Sequence, residues 1–448
     1  MKRITIKNPF IMRHFATLAL LFFTFFGTFA QTDVHQCASS HAMDALLVNS
    51  PEDARSFAAV QEALRRLQAE QAQQRGNLEV HTIPVVVHVL HLGSEVGVDE
   101  NISDEQIVSA IEALNQDYRR MVGTNGEGDG VDTFIQFELA KRDPDGNPTN
   151  GITRMNASGI DGYANDGVAS DSSQPGAPEL DVKTPVAWDR DDYINFYIVH
   201  KINGGNGVNG YAYPFRTFNP ILDGVVQRFD TFGTVGNLKP GYINRTTTHE
   251  VGHHLSLLHT FENTTSCGDE ANCSLNGDQV CDTPPTTLNR FCDEPTCDDA
   301  LVQNYMDYTG QSCRNMFTAG QRDRMRASLE GARKSLTESL GAMPVVDEDL
   351  VVKAVNSPGE TTCQPSASPS IQVLNQGILP ASGFQLSYML NGGTRFQNTF
   401  NESIQAGESI NVSLPELAFT TGTNELEVVV KQLGGGNDEF PENDTLMH

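Results

Sequence analysis

One string constrains the fold of this chain more than any other: His249-Glu250-Val251-Gly252-His253, followed by His259. Two histidines four apart share one face of a helix, one turn from each other, so both imidazoles reach a single metal only if this stretch is helical. Glu250 projects beside them, where a carboxylate can hold and deprotonate a water on that metal. His259 supplies a third nitrogen if the chain turns sharply after the helix. Three protein ligands leave a fourth position open, as a catalytic zinc needs and a structural zinc does not. The run Asn304-Tyr305-Met306-Asp307-Tyr308 then follows downstream, where a long zinc motif of this type anticipates a methionine.

With 448 residues the chain has room for two folded domains and processing segments. It opens like an export signal: Lys2, Arg3, Lys7 and Arg13 are basic, Phe15 to Phe26 is apolar, and Thr28-Phe29-Ala30 offers small residues for cleavage before Gln31. The apolar run is shorter than the ~20 residues a spanning helix needs, so the expectation is a signal peptide over 1–30 and a secreted protein without a membrane span. A formal net charge of −27 argues against nucleic acid or an anionic membrane as partner, since both call for clustered Lys and Arg. Six of the eight cysteines fall between Cys267 and Cys313 without paired metal-knuckle spacing, which reads as a disulfide-stapled loop.

Residues 31–78 read as a propeptide. Ser50 is a helix N-cap ahead of Pro51, Glu52 and Asp53, and the run to Gln74 predicts one exposed amphipathic helix. Arg75-Gly76 is either a processing point or an ordinary helix end. Ile83 to Leu90 predicts a buried strand, with His88 and His91 structural. Ser103 to Gln106 is a capping box opening a helix through Ile107, Ile111, Leu114 and Tyr118, and Thr318 to Gln321 is a second, opening a helix to about Ser335. Phe134–Leu139 and Asp192–His200 predict strands, and Asp143–Pro148 a plain turn. From about Val345 short strands predominate, near 370–374, 384–390, 409–414 and 425–430, with a hairpin signal at Asn391-Gly392. That pattern predicts a small all-β sandwich over 345–448 whose ligand the sequence does not identify.

HEVGHHLSLLHTF, GDQVCDTP (277–284), NYMDY (304–308) and FTAGQRDRM (317–325) occur in that order, preceded by IPVVVHVL, LNQDYRR, GYAYP and DGVV. Together they resemble the pappalysin family of metzincin zinc proteases, in its bacterial cytophagalysin or ulilysin-like branch, over about residues 80 to 338. The resemblance implies an α+β metzincin-type catalytic domain over 79–340, with a twisted mixed sheet and long helices above an irregular lower subdomain. It implies His249, His253 and His259 as zinc ligands, Glu250 as general acid/base, Met306 in the methionine turn, and Tyr308 as a stabiliser of the tetrahedral intermediate. It also implies the pairings Cys267–Cys297, Cys292–Cys313 and Cys273–Cys281. Relatives bind calcium after the zinc helix, so Asp278, Asp282 and Thr283 are either calcium ligands or turn caps. Basic-specific relatives use an acidic residue past the methionine turn, where this chain reads Thr309-Gly310-Gln311-Ser312. The family's glycine after the second histidine is Ser256 here, which must adopt a left-handed backbone at a cost of about 1 kcal/mol.

The reading that unites these features is a secreted zinc metalloendopeptidase, made as a zymogen and acting on protein or peptide substrates. A binding or adhesion protein on a protease-like scaffold, and a zinc hydrolase of non-peptide bonds, are the alternatives. Cys37 lies in the propeptide outside the cysteine cluster. It is either a cysteine switch occupying the fourth zinc position, the favoured reading, or the partner of Cys363 in a fourth disulfide.

Overall fold

The computed structural model describes residues 36–71, 78–267, 273, 275–359, 362–433 and 443–448. The export signal and Arg75-Gly76 lie outside these residues.

The apolar run at 83–90 is apolar on both faces because both faces are covered. It forms the middle of a strand, His81–His91, that is buried from Ile83 to Leu90. In chain order the elements around it are β1 (Gln36–Cys37), α1 (Ser39–Asn49), α2 (Pro51–Gln71), β2 (His81–His91), α3 (Asp104–Tyr118), β3 (Ile135–Leu139) and β4 (Ile152–Asn156). Two short helices, α4 (Tyr163–Asp166) and α5 (Glu179–Lys183), lead to β5 (Ile194–Val199), β6 (Val208–Ala212) and β7 (Val225–Arg228). The motif helix α6 (Arg245–His254) follows, then α7 (Ala319–Glu330) and α8 (Ser335–Glu338).

Seven strands make one sheet in the order β1-β6-β7-β5-β2-β3, with β4 pairing the second half of β2. β6 is antiparallel to β7 and β1 is parallel to β6, so these two run against the other five. α3 packs one sheet face through Ile107, Ile111, Leu114 and Tyr118 into a core that also holds Val251, Leu255 and Met306. His88 is structural, as expected: buried in β2, its Nδ1 lies 2.7 Å from Thr153 Oγ1 and its Nε2 2.8 Å from Asn195 Oδ1.

Three local expectations are corrected. Ser103 caps α3, but Gln106 does not close the box; its amide donates to Phe229 O and Phe232 O, clamping a loop across the helix start. The complete capping box is at Thr318 and Gln321, and α7 ends at Glu330, where Gly331 breaks it, rather than at Ser335. α2 starts at Pro51 as expected yet is not simply exposed. Asp53, Gln61 and Leu64 are buried, Asp53 accepts from the Phe218 amide, and Arg324 donates to Gln61 at 2.5 Å. Its partner α1, absent from the sequence reading, buries Ala42 and Met43 in the second core with Tyr211 and Tyr213.

From residue 350 the chain builds two facing sheets. β8 (Leu350–Ser357), β10 (Ser370–Asn375) and β13 (Ser409–Ser413) form one; β11 (Phe384–Leu390), β12 (Arg395–Phe400), β15 (Leu426–Gln432) and β16 (Thr445–Met447) form the other; β9 (Ser366–Ala367) pairs with β14 (Leu417–Ala418). Alternate residues of both sheets, among them Val352, Ile371, Phe384, Leu386, Tyr388 and Val428, share one core. The β11–β12 turn places Asn391 at φ 52° and Gly392 at φ 64°, as the Asn-Gly signal requires. Arg142 joins this region to the rest by donating to Met343 O, Pro344 O and Gln376 O.

Candidate metal centre

α6 is fixed at its start before any metal is considered. Asn244 sits left-handed at φ 72° and ties three elements together, accepting from Gly233 N and Thr247 Oγ1 and donating to Ala110 O. Arg245 and Thr248 both bond the buried Asp117 carboxylate of α3, at 2.7 and 2.5 Å. The helix ends after His254, and Ser256 turns the chain at φ 76°. The strain that the missing glycine implied is therefore present. Its hydroxyl lies 2.9 Å from Ser328 Oγ and its carbonyl accepts from Arg324 at 2.7 Å.

The turn brings His259 back over the helix. The Nε2 atoms of His249, His253 and His259 form a triangle with edges of 3.1, 3.0 and 3.3 Å, wholly buried. Each outer nitrogen is held by an acceptor: His249 Nδ1 by Tyr305 O at 2.7 Å, His253 Nδ1 by Leu257 O at 2.9 Å, His259 Nδ1 by the Glu262 carboxylate at 3.0 Å. An acceptor can bond Nδ1 only if Nδ1 carries the proton, so the three Nε2 atoms present lone pairs to one another. Three facing lone pairs repel unless a cation lies between them. The triangle also matches the edge of about 3.3 Å that tetrahedral zinc with Zn–N near 2.05 Å demands. Burial holds His253 well below the ordinary imidazole range, reinforced by His259, which keeps it a neutral ligand type.

Glu250 lies beside this triangle, and burial pushes its carboxyl up to about 8 against hydrogen bonds from Cys37 and Ser39. Met306 is fully buried below; a Cβ on Gly252 would meet its Sδ at 2.5 Å, so the glycine inside the motif lets the thioether sit under the helix. Gly210 of β6 does the same for Glu250, whose Cγ would lie 2.9 Å from an added Cβ.

The open face of the triangle is closed by the chain's own N-terminal segment. β1 pairs with the edge of β6, placing Cys37 in one group with the three histidines, ligand atoms all within 4.8 Å of one another. Its Sγ lies 3.1 Å from Glu250 Oε2, and Tyr308 donates its hydroxyl to Cys37 O at 2.9 Å. Ser39 donates to the same Glu250 oxygen at 3.2 Å while accepting from Ala212 N at 2.9 Å. Ser40 donates to Glu262 at 2.7 Å and lies 3.0 Å from His259 Nδ1. Cys363 is exposed and unpaired, so the alternative Cys37–Cys363 bridge is not formed.

The other pairings are those the resemblance implied: Cys267–Cys297, Cys273–Cys281 and Cys292–Cys313. Asp278 accepts from Gln321 Nε2 at 2.7 Å and from Val280 N. Asp282 accepts from Thr318 Oγ1 and Gly320 N, both at 2.8 Å, and Thr283 Oγ1 lies 3.2 Å from Thr318 Oγ1. The Asp282 bonds hold the first turn of α7 beside its Thr318 cap, while Asp278 ties the Gln321 side chain to the turn at Val280. Sequence reasoning missed Ser39, Ser40 and Glu262. Glu262 carried a signal in its spacing, three residues after His259, though a glutamate there reads equally as a solvated turn.

The peptidase M43 family model, described as pregnancy-associated plasma protein-A, matches residues 179–330. An extracellular metalloprotease of Arthroderma otae is 30% identical over 266 residues, 56% of this chain and 79% of the relative. The chain belongs to the pappalysin family of metzincin metallopeptidases. A second relative, an extracellular metalloprotease of Arthroderma benhamiae, is 30% identical over 61% of this chain and 86% of its own length. A promirolysin variant of Tannerella forsythia superposes with a TM-score of 0.51 at 30% identity, covering 68% of this chain and 97% of that one. Pappalysin membership makes the chain a metalloendopeptidase of extracellular type, and the seven-stranded mixed sheet with α3 and α6 is its metzincin scaffold. Among the described residues no helix is long and apolar enough to cross a membrane.

Proposed function

We propose that this pappalysin is a zinc endopeptidase held latent by its own N-terminal segment, with His249, His253 and His259 as ligands and Glu250 as general acid/base. The observation that carries the reading is the triangle of Nε2 lone pairs that face one another, each ring held from outside through Nδ1, with Cys37 Sγ on the open side. Zinc, when bound, supplies Lewis acidity to the scissile carbonyl and to water, and accepts a thiolate in the latent form.

The remaining chemistry is this chain's own. Glu250 takes the proton of the attacking water and returns it to the leaving amine. Tyr308, whose hydroxyl bonds Cys37 O in the latent form, becomes free to donate to the developing oxyanion when that segment leaves. Met306 gives the site an apolar floor. β6, whose edge β1 occupies, would then offer its main-chain groups to an extended peptide substrate.

In this reading residues 1–30 are an export signal, 31–78 a propeptide, 79–340 the protease and 345–448 an accessory sandwich. Latency rests on Cys37 together with Ser39, which occupies Glu250. The bonds of Asp282 and Thr283 to Thr318 and Gly320 support a role at the start of α7.

The deciding experiment is peptide or casein cleavage by processed protein before and after chelation, with zinc added back. Activity should vanish with the metal and return with it; undiminished cleavage by chelated, metal-free protein would sink the proposal.

A further inference from the structure

The three histidines are oriented by two different means. His249 and His253 donate from Nδ1 to main-chain carbonyls, Tyr305 O and Leu257 O, which the fold itself holds in place. His259 alone rests on side chains: its Nδ1 lies 3.0 Å from Glu262 Oε2. The turn that returns the chain from His259 aims that carboxylate back, with Glu262 N donating to His259 O at 3.0 Å. The same ring stacks on Phe261, centroids 4.7 Å apart and planes within 10°. Glu262 is mostly buried, at 17% side-chain exposure, and no Lys or Arg pairs with it among the described residues. Its Oε2 receives instead the Ser40 hydroxyl of the N-terminal segment at 2.7 Å.

We propose that Glu262 is a positioning residue for the third metal ligand: its carboxylate holds the His259 Nδ1–H and so presents Nε2 to the metal. The inference rests on the reading of His259 as a ligand. A carboxylate behind an imidazole both fixes its rotation and strengthens it as a donor. A ring oriented by a main-chain carbonyl cannot lose that support by side-chain substitution. The His259 ring can, and His259 is also the ligand that lies beyond the helix. Ser40 shares the carboxylate in the latent chain and stands 3.0 Å from Nδ1, near enough to accept in place of Glu262.

The test uses the full chain, with Ser40→Ala in every arm so that the hydroxyl cannot substitute. Glu262→Ala and Glu262→Gln are compared with Glu262 for the rate at which a chromogenic chelator strips zinc, and for the melting temperature of the metal-free chain. Glu262→Ala should release zinc roughly 10- to 100-fold faster. The metal-free melting temperature should be unchanged, and Glu262→Gln, whose amide oxygen still accepts from Nδ1–H, should fall between. Equal stripping rates in all arms, or a faster loss accompanied by an equal fall in metal-free stability, overturn the inference. If Glu262→Ala does not fold, Glu262→Gln and Glu262→Asp carry the comparison by the same criteria. A His259→Ala arm separates the two readings. Zinc held as tightly as in the parent chain would overturn the ligand assignment itself, whereas weak zinc there with unchanged stripping in the Glu262 arms overturns only the positioning role.

Discussion

Ser256 shows how much a single position can be asked to tolerate. Its φ of 76° is left-handed, and its buried hydroxyl meets Ser328. Glycine there would relieve about 1 kcal/mol of backbone strain and lose a hydrogen bond worth about 1 kcal/mol. Ser256→Gly should therefore change unfolding free energy by less than ~1 kcal/mol in denaturant titration, with zinc retained. Ser256→Val should lower both stability and zinc content, since a β-branched residue is a genuine outlier at positive φ. At Glu250, Gln keeps shape and removes the base. Cleavage by the processed Glu250→Gln enzyme should fall by roughly 100- to 10,000-fold with zinc content unchanged by elemental analysis; near-normal turnover would remove Glu250 from its role.

At the scale of elements, the proposed latency rests on a docked strand and helix rather than one thiol. β1 on β6, Tyr308 on Cys37 O, Ser39 on Glu250 and Ser40 on Glu262 are four attachments separate from the sulfur. Cys37→Ala alone should leave the unprocessed chain partly latent, whereas Cys37→Ala with Ser39→Ala and Ser40→Ala should approach the processed rate. Initial rates on a short peptide, with chain integrity followed by electrophoresis, decide it: full activity of the single variant would mean that the thiol is the whole lock. β2 yields a prediction of a different kind. Burial holds His88 at about 4 against an ordinary 6.5. Between those values the unfolded chain takes up a proton that the folded one does not, so stability falls as pH drops from 6.5 toward 4 and is unaffected above 6.5. The loss reaches about 3 kcal/mol at pH 4. Unfolding of His88→Gln at pH 7 and pH 4.5 should show a smaller difference than that of the parent chain.

For the whole molecule, the sandwich core and the two cores around the seven-stranded sheet share no residues. Arg142 bridges them, donating to Met343 O, Pro344 O and Gln376 O. A chain ending at Val345 keeps the first two of those acceptors, and should fold and cleave short peptides at a rate close to that of the full chain. A folded but inactive product would give the sandwich a part in catalysis.

What could be read without coordinates was local or periodic. Two histidines and a glutamate on one helix turn, a capping box at Thr318, alternation at Phe384–Leu390 and an Asn-Gly hairpin each repeat a rule whose range is a few residues. The histidine triangle was legible for the same reason: its three members span only residues 249 to 259. The N-terminal attachments were legible only in part: Cys37 stood out in the sequence, but its partners did not. Cys37 meets Glu250 across 213 positions, and a strand of two residues has no period to recognise. Nor could spacing choose between a cysteine switch and a bridge to Cys363. Cys37 stands beside the histidines because β1 pairs with the edge of β6, a tertiary contact that spacing does not encode. Ser40 and Glu262 belong with it, because a hydroxyl or carboxylate reads as solvated until packing brings an unpaired donor or acceptor against it.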